Sequence, residues 1–366
     1  MTLSIDVDRP VADSIHLESL PGVVDRLLQQ CQDIGAPLMT KIRRVEDAVV
    51  MEYRGPLRAV AELRTYSALS VVLGTYQEER EADYAGAVAR LRRSTEDGVL
   101  SALPGAGEPF GFRIDPLRDR WTVRDRVVDG LAWRNDPADW QLNLTRGGGL
   151  LLAQVGALYR SSRFPAMRRI PASTNPVIAA VLVQLLKARS GDVVYDPFCG
   201  AGTLLVELYA LDPTLRLLGS DLSDAALAEA TANRPLFPSA SLLRADASRF
   251  PLATDSVDRV ISNIPFGKRV GSHAGNTRLF PAFLAELTRM LRADGRAVLM
   301  TEDKNLFRRS VQATPELRIV REIQLASGGL HPSAYVLERT RAARRGRSRG
   351  RGNGGRPAGR DRSRRG

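Results

Sequence analysis

Cysteine is nearly absent from this 366-residue sequence: Cys31 and Cys199 are the only two. Two such distant residues provide neither a disulfide framework nor a thiolate metal site, so both are expected as reduced thiols. Histidine is scarce as well. His16, His273 and His331 fall at no metal-ligand spacing, which makes them surface or packing residues and leaves no metal expected. No apolar run reaches the roughly 20 residues of a membrane span. Runs such as "PVIAAVLVQLL" are short and end in charge, and the first residues, "MTLSIDVDRPVADS", lack a basic start followed by an apolar stretch. The expectation is a cytoplasmic protein with no membrane partner.

Positive charge is present, but not where a basic fold would put it. The formal charge is +12. From Glu338 to the end, twelve arginines stand against Glu338 and Asp361, a balance of +10, so the first 337 residues hold only +2 between them. That tail, "RAARRGRSRGRGNGGRPAGRDRSRRG", has no side chain large and apolar enough to offset the entropy of ordering it. Residues 339–366 are therefore expected to be disordered and to act electrostatically, drawing phosphate backbones without sequence preference.

What the sequence has in abundance is alternation. With 43% hydrophobic and 26% charged residues it has the composition of a globular protein, and its length favours two domains. From about 156 to 338, "DVVYDPF", "RLLGSDL", "ASLLRAD", "VDRVISN" and "RAVLMTE" read as strands. The helical patterns "AGTLLVELYALD", "SDAALAEATANR" and "PAFLAELTRMLRADG" intervene, the last expected to stop at Gly295. Two final strands, "LRIVREIQLASGG" and "PSAYVLERT", complete an α/β domain with a mostly parallel sheet and an antiparallel C-terminal strand. Residues 1–155 read as a smaller α+β region. There "SLPGVVDRLLQQCQDIG" is a helix stopped by Gly35, "VEDAVVMEYRG" a strand, and "PLRAVAELRTYSALSVVLGTY" has helical spacing. "EEREADYAGAVARLRRSTEDGVLSAL" is a further helix, while "FGFRID" and "DWQLNLT" are strands. Between about Ala82 and Leu150 no convincing alternation of strands is visible.

The chemistry gathers at strand ends. "YDPFCGAGTLL" follows a strand and opens a helix, so Gly200 and Gly202 lie where backbone must approach a ligand closely. The third glycine of a dinucleotide turn is absent, and this turn alone leaves S-adenosylmethionine and NAD nearly level. Three aspartates at successive strand ends, Asp196, Asp221 and Asp246, favour a nucleoside pocket: Asp221 is placed to take ribose hydroxyls and Asp246 to receive an adenine amino group. The fourth strand ends in Asn263-Ile264-Pro265-Phe266, followed by Lys268 and Arg269. This turn resembles the (Asn/Asp)-x-Pro-(Tyr/Phe) signature of S-adenosylmethionine-dependent methyltransferases acting on amino nitrogens conjugated to a π system, a resemblance that implies two carbonyl acceptors for the amine and a ring to stack beside it. Cys199 sits in the glycine turn rather than at the end of the fourth strand, and is expected as a small buried residue.

"DPFCGAGTLLVE" together with "NIPFGKRVGSH" resembles the THUMP-associated S-adenosylmethionine-dependent RNA guanine-N2 methyltransferases, over about Leu158 to Glu338. The resemblance implies a Rossmann-like class I methyltransferase domain behind a ferredoxin-like piece and a shortened THUMP-like segment. It implies S-adenosylmethionine on Asp196, Phe198, Gly200, Gly202, Thr203, Asp221, Leu222, Asp246 and Ala247, with Ala172 to Thr174 at the methionine end. The target guanine would lie on Asn263, Ile264, Pro265 and Phe266, and flanking RNA phosphates on Lys268 and Arg269. Transfer RNA is the expected substrate and ribosomal RNA an alternative. Methylation of adenine N6 or of a protein glutamine, or a non-catalytic RNA-binding factor, are the competing readings.

Overall fold

The computed structural model describes residues 5–77, 82–265, 273–326 and 329–340. Its first part runs β1 (Pro10–Glu18), α1 (Val24–Ile34), β2 (Met39–Val45), β3 (Ala48–Pro56), α2 (Arg58–Ala61), β4 (Ala68–Thr75), α3 (Tyr84–Glu96), β5 (Gly111–Ile114), α4 (Arg120–Leu131), β6 (Arg134–Asn135), β7 (Leu142–Gly147) and β8 (Leu150–Val155). These strands form one eight-stranded sheet in the order β2-β3-β1-β4-β8-β7-β5-β6. One apolar cluster, from Ile5 to Leu158, fills the space between this sheet and its helices.

Helix α1 forms as its pattern requires, burying Val24, Leu27 and Cys31 on one face and ending where Gly35, at φ 54°, donates its N–H to the Cys31 carbonyl at 2.9 Å. The helix expected over "PLRAVAELRTYSALSVVLGTY" is a correction: only α2 is helical, and after a turn Ala68–Thr75 is β4. Leu69, Val71 and Leu73 alternate into the core, and β4 pairs antiparallel with both β1 and β8, so tertiary pairing overrides a period that α2 and β4 happen to share. The stretch between Ala82 and Leu150 does carry strands, but β5 has four residues and β6 only two, too few for alternation to register.

The second part runs α5 (Arg160–Arg163), α6 (Pro176–Leu186), β9 (Val193–Asp196), α7 (Thr203–Leu211), β10 (Arg216–Asp221), α8 (Asp224–Ala232), β11 (Ser241–Arg244), β12 (Val257–Asn263), α9 (His273–Met290), β13 (Leu291–Thr301), α10 (Lys304–Gln312), β14 (Leu317–Gln324) and β15 (Ser333–Arg339). The strand order is β11-β10-β9-β12-β13-β15-β14. The first five strands are mutually parallel and β15 is antiparallel to both neighbours. This is the doubly wound α/β architecture the sequence implies. Period-two alternation divides the side chains between its faces. Val194, Ile261, Val298 and Met300 pack with α6 and α7, while Tyr195, Val260, Ala297 and Leu299 pack with α9 and α10. The helix expected to stop at Gly295 ends at Met290 instead, because Leu291 already pairs with Val257 as the start of β13.

Strand order reverses between β9 and β12, the place where a ligand crevice opens at the carboxyl ends of such a sheet. Among the described residues no helix is long and apolar enough to cross a membrane. Cys31 and Cys199 are free and buried, and burial pushes both thiols up, Cys31 to about 12.

Candidate active site

A cavity lies at that switch point. It is lined by the segment 170–174, by Asp196, Phe198, Gly200, Thr203 and Asp221, and by Asn263, Ile264 and Pro265. The sequence motifs at the ends of β9, β10 and β12 thus converge on one space.

Asp196, the last residue of β9, is 1% exposed. Its Oδ1 accepts from Ser262 Oγ at 2.7 Å and from the Phe198 N–H at 3.2 Å. Its Oδ2 is buried with no hydrogen-bond partner among the described residues. Burial dominates and pushes this carboxyl up to about 7, against the pull of the two donors. An orphaned carboxylate oxygen on a cavity wall is a site for a donor, preferably a cation, that the chain itself does not supply.

The glycine turn is shaped by backbone geometry. Gly200 and Gly202 have φ of 54° and 89°, and a Cβ at Gly202 would stand 2.8 Å from the Phe237 ring. Asp221, ending β10, accepts from the Gly200 N–H at 3.0 Å and, through its other oxygen, from the Ser223 N–H at 2.9 Å. Each carboxylate oxygen has further acceptor capacity toward the cavity.

Asn263 ends β12. Its Nδ2 donates to Thr174 Oγ1 at 3.1 Å and to the Ala172 carbonyl at 3.4 Å. A carbonyl only accepts, so this contact fixes which end of the amide is nitrogen. Oδ1 then remains buried and unpartnered among the described residues, on the wall of the cavity. Ala172 holds φ of 66°, an uncommon conformation for a residue with a Cβ, in a turn closed by Ser173 Oγ accepting from the Ile170 N–H at 2.9 Å.

Not every expected residue reaches the cavity. Gly202 shapes the turn but is turned toward Phe237, and Leu222 is 59% exposed and does not line the cavity. The Asp246 carboxylate is exposed and held below the ordinary carboxylate range by the Ser248 N–H and hydroxyl, both at 2.8 Å, and Ala247 is buried in the cluster with Tyr195 and Phe250. Phe266, Lys268 and Arg269 lie outside the described residues.

Two residues without any sequence signal support the site. Asn233 accepts from the Arg168 N–H at 2.8 Å and donates to the carbonyls of Arg168 and Ala201, both at 2.9 Å, stapling the strip before residue 170 to the glycine turn. Asn276, 1% exposed on α9, donates to the Pro265 carbonyl at 3.2 Å, which Thr301 Oγ1 also reaches at 3.4 Å. Pairings across 65 and 11 positions leave no trace in a local pattern.

Residues 165–333 match the family model of the RMKL-like methyltransferase domain (UPF0020). Among curated relatives, the chain is 34% identical over 183 residues to a tRNA (guanine(6)-N2)-methyltransferase of Thermus thermophilus, 48% of this chain and 54% of that protein. It is 31% identical over 186 residues to the bovine tRNA (guanine(6)-N(2))-methyltransferase THUMP3, 46% of this chain and 37% of that one. The chain therefore spans about a third to a half of the length of the curated relatives it matches. Among solved structures, TrmN from Thermus thermophilus superposes with a TM-score of 0.68 over 89% of this chain and 99% of its own, at 24% identity, a likeness of fold.

Proposed function

We propose that this chain, whose residues 165–333 match the RMKL-like methyltransferase domain, transfers a methyl group from S-adenosylmethionine to the exocyclic N2 amine of a guanosine in RNA, with transfer RNA as the substrate class. The relatives named above carry that activity in their names, and the single observation that supports it here is the amide of Asn263, pinned by its nitrogen and free at its oxygen.

The residues fit the cofactor. The unpartnered Asp196 Oδ2 suits an amino acid ammonium, the remaining acceptor sites of Asp221 suit a ribose diol, and the positive-φ glycine turn keeps Cβ atoms off the space between them. When bound, the cofactor supplies an electrophilic methyl on a sulfonium. The Asn263 Oδ1 and the Ile264 carbonyl accept the two N–H bonds of the substrate amine, turning its nitrogen lone pair out of conjugation with the ring. Neither group is a strong base, and none is required, because the amine becomes acidic as it is alkylated and loses its proton to water. Catalysis by this chain is orientation of the amine toward the methyl group. Phe266 would stack on the base, with Lys268 and Arg269 on flanking phosphates.

The test is methyl transfer to an unmodified transfer RNA transcript and to the same transcript with inosine in place of guanosine. Transfer to the first and none to the second is expected, since inosine lacks the exocyclic amine. Equal transfer to both moves the target away from N2.

A further inference from the structure

We infer that Arg64, from the N-terminal sheet unit, is a positioning residue for the cofactor cavity; this rests on the reading of that cavity given above. Arg64 lies between α2 and β4, and its Nε and Nη2 each donate to one oxygen of Glu207 on α7, both at 2.6 Å. The Glu207 side chain is 2% exposed, and Arg64 meets both oxygens of this interior carboxylate in a paired, bidentate contact. The same guanidinium sits 4.3 Å from the centroid of the Phe164 ring, itself 4% exposed.

These two contacts are the far ends of the two cavity walls. Glu207 is four residues on from Thr203, hence on the same face of α7 one turn away, and Thr203 lines the cavity at the end of the glycine turn. Phe164 heads the strip that becomes the opposite wall at residues 170–174. One guanidinium therefore ties the wall that carries Gly200 to the wall that carries Ala172 and Thr174, from outside the methyltransferase domain.

The anchor for this reach is rigid. Thr65 and Tyr66 beside Arg64 are fully buried, and the Thr65 carbonyl accepts from Ser19 Oγ at 2.7 Å. Other contacts hold the two parts of the chain together independently: Arg26 Nε donates to Gln184 Oε1 at 2.7 Å, Ala326 N–H donates to the Pro21 carbonyl at 3.2 Å, and Val23 is buried in the apolar cluster of α6 and α7. Loss of Arg64 thus loosens the cavity without separating the units. The pair is invisible in sequence, its members being 143 positions apart.

The test measures S-adenosylmethionine binding to the full chain by calorimetry, well below each thermal midpoint, alongside KM and kcat on RNA. Arg64→Ala is expected to raise Kd and the cofactor KM together by roughly tenfold or more, with kcat at saturating cofactor within about twofold of the parent. Arg64→Lys, with a single ammonium for two carboxylate oxygens, falls between. A lowered midpoint with Kd within about twofold of the parent makes Arg64 merely structural and overturns the inference. Should the alanine variant fail to fold, the lysine variant decides by the same criterion. If the parent protein itself binds no S-adenosylmethionine, the reading of the cavity fails first and takes this inference with it.

Discussion

Replacing Asn263 by Ala removes a buried amide oxygen that lines the cavity without a partner among the described residues. In the account above that oxygen accepts an N–H from an amine that gains positive charge as it is alkylated. A hydrogen bond to a charged group contributes about 1.5–3 kcal/mol, which corresponds to roughly a 10- to 150-fold change in rate. The substitution also frees the Ala172 carbonyl and Thr174 Oγ1 from Nδ2, adding disorder to the wall opposite the target, so a loss near the upper end is expected. Asn263→Asp separates the two effects. It keeps an acceptor but presents a second oxygen to the Ala172 carbonyl, which only accepts, and the expected rate lies between the parent and Asn263→Ala. Single-turnover transfer at saturating cofactor and RNA reads the step directly, with cofactor affinity as the control for an intact cavity. An Asn263→Ala variant that binds cofactor normally and transfers methyl within about twofold of the parent would refute the orientation argument.

Other consequences follow from buried groups and tight turns. The Asp196 carboxyl is pushed up to about 7 from an ordinary 3.8, so the unfolded chain ionises while the buried carboxyl keeps its proton, and stability falls as pH rises from about 4 to 7. Asp196→Asn is therefore expected to stabilise the cofactor-free protein at neutral pH by on the order of a few kcal/mol, read as a raised thermal midpoint and shrinking toward pH 4, while S-adenosylmethionine affinity is lost. Equal midpoints at neutral pH would contradict the burial argument. Gly202→Ala must hold φ near 89° with its Cβ 2.8 Å from the Phe237 ring, and is expected to cost about 1–3 kcal/mol, read as a lower midpoint in denaturant or heat. Asn276→Ala leaves the Pro265 carbonyl the longer bond from Thr301 Oγ1, so kcat should fall by about tenfold with cofactor Kd unchanged. A change in Kd with kcat preserved would place Asn276 on the cofactor side instead.

The legible parts of this sequence were those where a local pattern and a tertiary position coincide. Strands such as Val193–Asp196 and Val257–Asn263 are short apolar runs ending in a polar residue, because the central strands of a parallel sheet are covered on both faces and only their carboxyl ends meet the crevice. Asp196, Asp221 and Asn263 could be placed at one edge for that reason. Asp246 follows the same rule in sequence, yet its carboxylate turns to its own Ser248, a local capping contact that competes with any ligand role and that no strand-end rule separates from it. Where spacing served two elements at once, as from Arg58 to Thr75, the pairing of β4 with β1 and β8 decided, and that information lies in distant segments. The supports of the site, Asn233, Asn276 and Arg64, are polar side chains whose value comes from partners outside any local pattern, so composition and periodicity pass over them.

The central claim is the identity of the atom that receives the methyl group. Full-length protein with S-adenosylmethionine carrying a deuterated methyl, unmodified transfer RNA, digestion to nucleosides and mass spectrometry test it in one measurement. The account predicts the mass label in N2-methylguanosine. Label in another nucleoside, or none in RNA from a protein that binds the cofactor, would contradict it.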